Sequence, residues 1–242
     1  MNMTKKTVAA LAAVLFAGSA AMAANNQFWL KQTIEGQIVE EGVWSPLRVK
    51  SEIEEKFDES RIVDQETLIQ LGWKLNPYLS VYLGDRWVYE RSKGKGKMRA
   101  EQRPTFDVYV TFPEFATLKF DFRSRFEYRD KHGSDAYMRY RERLRLRTSW
   151  SVTDFKISPY AFEEMFFSDK TDTDRADLFD RSRAQIGLSF RPVPSLKNLS
   201  CNIYYMVQHD MTNRSSTWTP TNVYGLECTW KFYFSGRLKA VA

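Results

Sequence analysis

Arginine occupies every second position of one short stretch of the chain, at Arg139, Arg141, Arg143, Arg145 and Arg147. An α-helix with 3.6 residues per turn would spread these five cations around its surface and leave no apolar stripe. In an extended strand the arginines share one face, because successive side chains point to opposite sides. The intervening residues are mostly aromatic or aliphatic, including Met138, Tyr140, Leu144 and Leu146. The stretch therefore predicts a β-strand with one cationic face and one apolar face.

The same alternation with a period of two runs from residue 27 to residue 234 and indicates eleven strand-like segments. Several of them are 10 or more residues long, whereas strands of soluble proteins are usually about 5–6 residues. This length matches the roughly 9–11-residue tilted strand that crosses a bilayer. The clearest segments lie at 47–57, 105–112, 118–129, 181–191 and 223–234, and less regular ones at 27–39, 66–75, 78–90, 155–166 and 199–208.

Short and long connections alternate between these segments, which is typical of outer-membrane barrels with short periplasmic turns. We expect an all-β fold, an antiparallel up-and-down transmembrane β-barrel of ten to twelve strands. The barrel must be closed, because unpaired strand edges are not tolerated in hydrocarbon. Ten strands fit from residue 47 onward with both ends periplasmic. The segment 27–39 then either lies in the periplasm or lumen, or pairs with a twelfth strand not recognised in the sequence.

The N-terminus has the pattern of a secretory signal peptide, with two early lysines, a short apolar run and a small-x-small site ending at Ala23. We expect residues 1–23 to be removed and residues 24–242 to form the barrel domain in the outer membrane. Expected partners are outer-membrane lipids, lipopolysaccharide, the barrel assembly machinery and small anions. The net charge of +6 falls to about +4 without Lys5 and Lys6. So small an excess on a secreted chain does not favour nucleic acid as a partner.

Short segments along the chain carry a resemblance to a known family: FWLKQTIEG, PYLSVYLGDRW, AEQRPTFDVY, KFDFRSRFEYRD, MRYRERLRLR, ISPYAFEEMFF, FDRSRAQIGLSFRP and YGLECTWKFYF. With them the chain resembles the uncharacterised family called domain of unknown function 2490, predicted outer-membrane barrels of Gram-negative bacteria. The resemblance spans nearly the whole mature chain. It implies the fold and the location, and it implies no activity. The tail SGRLKAVA after Phe234 departs from the pattern, since such barrels usually stop at a terminal aromatic residue.

Strand pairing predicts a constellation of opposite charges around Glu164. Pairing of 118–129 with 137–150 places Glu127 opposite Arg139 and Asp121 opposite Arg145, and pairing with 155–166 places Glu164 opposite Arg141. Arg181 or Arg183 then reaches the other side of Glu164. The predicted pore-lining residues are Arg123, Arg125, Arg139, Arg141, Arg143, Arg145, Arg147, Glu127, Asp121, Glu164, Arg181 and Arg183.

Three interpretations of this constellation are open. The first is a salt-bridge ladder that fills and stiffens a small barrel. The second is an anion-selective lining that uses the surplus of arginine over acid. The third, proton transfer by Glu164, is disfavoured because neighbouring guanidinium groups stabilise the ionised carboxylate, which cannot act as a general acid. The predicted role is accordingly a narrow arginine-lined channel for small anionic solutes, or a structural barrel.

Catalytic and cofactor patterns are weak, so we expect no enzyme activity, no catalytic residue, no cofactor and no metal. His132 and His209 fall in predicted extracellular loops, where Asp210 and nearby serines only faintly resemble a protease or phospholipase site. A lipid-modifying enzyme or protease with its site in these loops is one alternative function. A soluble periplasmic β-sheet binding protein is another. The acidic loop 169–177 lacks the glycine and terminal glutamate of an EF-hand.

Three further expectations concern particular side chains. Cys201 and Cys228 fall nearly opposite each other on the lipid-facing side, and free thiols are favoured over a disulfide there. Glu142 and Glu163 point outward and are expected near the extracellular rim, where a carboxylate costs little. The basic loop 91–99 is either a lipopolysaccharide contact or a solvated loop. The expected interfacial girdle comprises Trp29, Trp44, Trp73, Trp87, Trp150 and Trp230.

Overall fold

The described part of the chain forms eleven β-strands, ordered consecutively around a closed barrel. The computed structural model describes residues 26–37, 47–58, 61–91, 98–132, 135–148, 156–169, 179–211 and 218–234. The strands are β1 Asn26–Gln37, β2 Leu47–Asp58, β3 Arg61–Lys74, β4 Leu79–Arg91, β5 Met98–Thr111, β6 Leu118–Lys131, β7 Tyr137–Thr148, β8 Ser158–Ser168, β9 Phe179–Phe190, β10 Leu199–Met211 and β11 Trp218–Tyr233. The all-β barrel prediction is confirmed.

The two faces of each strand have opposite chemistry, and the charged face points inward. On β6, Asp121, Arg123, Arg125 and Glu127 are buried, while the alternating residues between them stay partly exposed. Arg125 is only 1% exposed and Glu127 0%, whereas apolar Leu83 is 67% exposed. The barrel is therefore inside out relative to a water-soluble β protein, with ionic groups in its interior and apolar groups on its surface.

Closure of the barrel joins the first and last strands in parallel. Asn26 pairs with Asn222 and Gln37 with Tyr233, while every other neighbouring pair of strands is antiparallel. This odd closure corrects both alternatives offered for the segment 27–39, which is neither outside the wall nor paired with a twelfth strand. It forms one of the eleven described strands. Its hydrogen bonds to β11 on one side and to β2 on the other leave neither edge of the sheet unpaired.

Two ends of the barrel are distinguished by their connections. Three tight turns close one end, between β3 and β4, β5 and β6, and β9 and β10, and we call it the turn end. In the first of these turns, the Asn76 side chain accepts hydrogen bonds from the backbone N–H groups of Tyr78 and Leu79, at 2.8 and 2.9 Å. The opposite end, where β1 begins, is the loop end.

Cys201 and Cys228 form a disulfide across β10 and β11, so the expectation of free thiols is wrong. The two residues are register partners on the outer face, with their Cα atoms 4.1 Å apart. Leu199 and Leu226 pack beside them in an apolar cluster. Because the two cysteines lie directly opposite each other on adjacent strands, their sulfur atoms come within bonding distance.

Two outward carboxylates lie far from the rim, which corrects the expectation for them. Glu142 is the sixth of twelve residues in β7, and Glu163 is the sixth of eleven in β8. Glu142 accepts a hydrogen bond from the Ser124 hydroxyl at 2.7 Å. The strand phase is nevertheless as predicted, because the next residue in sequence, Glu164, is buried and faces inward.

The tryptophans divide between the two faces. Trp73, Trp87 and Trp230 lie on the outer face, as expected for a girdle. Trp29 does not, because it is buried inside the barrel with the Lys56 ammonium 4.6 Å above its ring. Several predictions lie outside the described residues, namely the signal peptide, Trp44, Trp150, the C-terminal tail and most of the loops 91–99 and 169–177.

The disulfide generates a first prediction. Replacing Cys201 and Cys228 with serine should lower the free energy of unfolding by about 2–4 kcal/mol, because the cross-link restricts the unfolded chain. Chemical denaturation of the detergent-solubilised protein, followed by tryptophan fluorescence, measures this loss. Maleimide labelling of the unfolded, unreduced wild type provides the check on the bond itself. Stoichiometric labelling there would show that the thiols are free.

The parallel seam generates a second prediction. In the serine background, cysteines at Ile34 and Trp230, which are register partners on the outer face, should be joined by a short bifunctional thiol reagent. Cysteines at Ile34 and Tyr224 are the matched control, since Tyr224 precedes Trp230 by six residues in β11 and pairs with Phe28. Electrophoresis under non-reducing conditions separates the linked form. Equal yields for the two pairs, or no link in either, would contradict the closure.

Candidate functional site

The interior of the barrel contains three cavities stacked along its axis. The loop-end chamber has a volume of about 590 Å³ and is lined by residues that include Asp58, Arg99 and Lys131. The central cavity has about 150 Å³. The turn-end chamber has about 300 Å³ and is lined by residues that include Arg48, Arg143, Arg145, Arg147 and Lys231. The central cavity shares wall residues with both chambers, so charged side chains narrow the interior at mid-height.

A lattice of guanidinium and carboxylate groups connects β6, β7 and β8. Glu127 lies opposite Arg139 and Asp121 opposite Arg145, which confirms the predicted register. The Glu127 carboxylate accepts hydrogen bonds from Arg139 Nε and Arg141 Nη1, both at 2.8 Å. Pairing of this kind compensates the loss of hydration that burial imposes on each charge.

Glu164 occupies the centre of this lattice. Its carboxylate accepts hydrogen bonds from Arg141 at 3.1 and 3.2 Å, from Arg183 at 3.5 Å and from Arg123. The register differs from the prediction by two residues, because Glu164 lies opposite Arg143 and not opposite Arg141. The guanidinium of Arg141 still reaches it. Arg183 lies opposite Glu164 on β9, as predicted.

A second lattice on β2 to β6 was not identified from the sequence. Asp107 accepts two hydrogen bonds from Arg125, at 2.6 and 2.5 Å. Glu101 binds Arg103 at 2.8 Å and also Arg129. Its other carboxylates are Glu52, which binds Lys31 and Lys50, and Glu66, which binds Lys56 and Arg86. The signal was present in 47–57 and 105–112, where Lys50, Glu52, Lys56, Thr105 and Asp107 alternate with outward residues and face the same interior.

An aromatic ring also lies inside the lattice. Phe166 is 1% exposed, and four guanidinium groups lie 4.7–5.5 Å from its centre. They belong to Arg139, Arg141, Arg181 and Arg183. Cation–π contacts of this kind hold cations close together without one carboxylate for each. The ring also occupies part of the central section of the interior.

Three neighbouring arginines of β7 at the turn end have few partners. Arg145 and Arg147 share the single carboxylate of Asp121, with closest distances of 3.0 and 3.1 Å. Arg143 has no carboxylate within ion-pair distance in the described part of the chain, and its guanidinium lies 5.4 Å from the centre of the Phe162 ring. Its Nε atom is buried without a hydrogen-bond partner among the described residues.

All twelve predicted pore-lining residues have their side chains on the inner faces of their strands. The structure brings Glu164, Glu127 and Asp121 together with nine arginines of β6, β7 and β9. Their role in lining a conducting path stays a prediction. Neither His132 nor His209 lies in this cluster of charged residues. His132 is exposed at the loop end, and Asp210, next to His209, binds Arg181 and Gln208 instead.

No group of three or more histidine, cysteine, aspartate or glutamate side chains in the described ranges is placed to hold a metal ion. No helix in the same part of the chain is long and apolar enough to cross a membrane.

Comparison with known proteins places the chain in a family. The sequence profile of the family described as "Protein of unknown function (DUF2490)" matches residues 26–219. The chain belongs to this family. The predicted resemblance is thereby confirmed, and the match covers every strand up to the start of β11. No functionally curated protein matches this DUF2490 member.

Two solved barrels are similar to the DUF2490 chain in fold. One is described as the NanC porin in a rhombohedral crystal form, with 10% identity, a TM-score of 0.45 and coverage of 80% of this chain and 95% of that one. The other is the outer-membrane expressed OmpT of Vibrio cholerae, with 10% identity and a TM-score of 0.41. The DUF2490 chain covers 58% of the latter, and 73% of its own length is aligned.

Adjacent glutamates on opposite faces of β8 provide a third prediction. Glu164→Leu should lower the free energy of unfolding by about 3–5 kcal/mol, because it leaves buried guanidinium groups uncompensated. Glu163→Leu, the matched control, should change it by less than about 1 kcal/mol or increase it, since an outward carboxylate is replaced by an apolar group. Denaturant titration in phospholipid vesicles measures both. Equal losses from the two variants would contradict the assignment of the faces.

Proposed function

We propose that this protein is an outer-membrane β-barrel whose narrow, cation-rich interior passes small anions. Support for the membrane location comes first from the apolar outer face of a closed wall. Ile34, Leu71, Leu144 and Ile186 are each at least 50% exposed there. Strands of 11 to 16 residues suffice to cross a bilayer at a tilt. A closed barrel also leaves no strand edge unpaired in hydrocarbon.

The route to that membrane is part of the same proposal. The signal-peptide pattern at residues 1–23 directs a chain to secretion. Insertion into the outer membrane then involves the barrel assembly machinery, and the outer leaflet brings the loop end into contact with lipopolysaccharide. A soluble periplasmic protein is the competing interpretation. Recovery of the native protein from the periplasm without detergent would support that alternative.

The surplus of cations in every section of the interior is the observation that carries the transport proposal. Among the described residues, the turn-end chamber is lined by eight cationic side chains and three carboxylates. The central cavity is lined by twelve cationic side chains and seven carboxylates, and the loop-end chamber by seven cationic side chains and four carboxylates. A single-sign surplus between low-dielectric walls raises the local concentration of counter-ions. An anion therefore meets favourable potential along the whole path, and a cation does not.

The lattice of ion pairs limits the size of the anion that can pass in this proposal. At mid-height the interior contains a cavity of about 150 Å³, between ion pairs and the Phe166 ring. We therefore expect a low conductance and a restriction to small anions. Selectivity of this kind comes from rings of charged side chains and from the width of the constriction.

A structural barrel is the second candidate, and the fully buried ion pairs favour it. Arg125, Glu127 and Asp107 are each at most 1% exposed, so packed side chains fill this part of the interior. In that case the lattice only fills and stiffens the wall.

Conductance in planar bilayers tests the transport proposal. With a salt gradient of potassium chloride, the reversal potential should show a preference for chloride over potassium. Arg143→Gln combined with Arg147→Gln should lower the permeability ratio by roughly threefold for each charge removed, because a cation at about 6 Å contributes about 0.7 kcal/mol in water.

The control for this experiment removes two cations outside the interior. Lys156→Gln combined with Lys197→Gln neutralises exposed residues of the turn-end connections and should leave the permeability ratio unchanged. A wild type without conductance would leave the structural barrel as the role of the protein. A preference for potassium would contradict the anion assignment directly.

A further inference from the structure

The ratio of cations to carboxylates among the lining residues is highest at the turn end, where three arginines lie on a single strand. Arg143, Arg145 and Arg147 alternate on β7 and face the turn-end chamber. Asp121 is the one carboxylate bound to this group in the described part of the chain. The four side chains together carry a net charge of about +2. A surplus of this size inside a low-dielectric wall favours a ligand with the opposite charge.

The donors of these arginines are also incompletely used. The Nε atoms of Arg143 and Arg147 are buried and have no hydrogen-bond partner among the described residues. Arg143 lies against the Phe162 ring, which fixes the plane of its guanidinium and leaves the edges free to donate. A guanidinium edge matches two oxygen atoms of a phosphate or carboxylate group.

The spacing of the arginines suits one small oxyanion. Alternate residues of a strand lie about 6.6 Å apart, so two neighbouring guanidinium groups can approach one bound group from either side. Tyr82, Tyr109 and Tyr160 line the same chamber. The Tyr160 hydroxyl accepts a hydrogen bond from Gln185 at 2.8 Å and keeps its own proton to donate. Tyr82 and Tyr160 lie so close over Gly72 and Gly187 that a Cβ atom at either glycine would overlap the ring. This close approach keeps both rings near the wall and the chamber open.

The loop-end chamber lacks these properties, although it is larger. Its Arg181 binds Asp210, and its Lys131 binds Glu90 at 2.8 Å. Those cations are balanced locally by partners, so a ligand would have to displace an existing ion pair. In the turn-end chamber Arg143 offers a guanidinium that has no carboxylate partner in the described part of the chain, and Arg145 and Arg147 share a single carboxylate.

We propose that the turn-end chamber is a binding site for a doubly charged oxyanion, namely inorganic phosphate or the phosphate group of a small solute. Arg143, Arg145 and Arg147 bind the charge, and the tyrosine hydroxyls of the chamber bind the remaining oxygen atoms. The volume of about 300 Å³ equals roughly ten water molecules, which admits the phosphate with a small organic group. This inference rests on the proposed anion-passing interior and names its preferred ligand.

Equilibrium binding tests the site without depending on flux. Inorganic phosphate is titrated calorimetrically into the detergent-solubilised, folded protein at constant ionic strength. One saturable site per chain is expected, with at least tenfold weaker binding in Arg143→Gln and in Arg147→Gln. Arg143→Lys should retain part of the affinity, because it keeps the charge and loses the two-point geometry. A glucose phosphate and a chloride titration distinguish a solute-borne group from the free ion and from a simple charge effect.

The matched control is Arg99→Gln, which removes an exposed arginine of the loop-end chamber and should leave phosphate affinity unchanged. Folding of each variant is verified by its denaturation midpoint. The inference is overturned if wild type shows no saturable phosphate binding, if chloride binds equally well, or if Arg99→Gln loses as much affinity as Arg143→Gln.

The outcome separates this site from the transport proposal. Chloride selectivity in bilayers together with no phosphate binding would leave the anion-passing interior standing and remove the site. Saturable phosphate binding in a protein without conductance would retain the site and assign it to a closed barrel.

Discussion

Pairing of buried guanidinium groups with carboxylates is the interaction on which the rest of this structure depends. Charged side chains inside a closed wall are tolerated only when partners and hydrogen bonds replace the lost water. Glu127, Glu164 and Asp107 each accept hydrogen bonds from arginine, so the strands that carry them must hold one register. A slip of one residue would turn each charged face outward. The same contacts therefore fix strand register and the direction of every side chain.

The number of cations bound by each carboxylate differs between the centre of the barrel and its turn end. Where each carboxylate serves two or three cations, around Glu164 and Glu127, side chains fill the centre and narrow it. Where one carboxylate, Asp121, serves the arginines of the turn end, donors remain available. The ion pairs at mid-height therefore stabilise the barrel, and the proposed ligand site lies at the turn end. All three cavities share a surplus of cations, which is the basis of the proposed path for anions.

Much of this could be predicted from sequence, because a period of two separates faces without knowledge of the fold. Pairing of β6 with β7 followed from their order in the sequence, and Glu127 opposite Arg139 was confirmed. Pairing of β7 with β8 was predicted two residues out of register, with Glu164 opposite Arg141 and not opposite Arg143. Parallel closure by β1 could not be predicted, since it depends on contacts between the two ends of the chain. The lattice of β2 to β6 required registers across several strands at once.

The central claim is that the charged faces look inward while the apolar faces meet lipid. Spin labels placed singly at 118–128 on β6, in reconstituted vesicles, test it most directly. Collision rates with oxygen and with a water-soluble nickel complex should alternate with a period of two. The account predicts high oxygen and low nickel access at Phe120, Phe122 and Phe126, with low oxygen access at the inward residues Asp121, Arg123 and Arg125. High nickel access at those phenylalanines would contradict it.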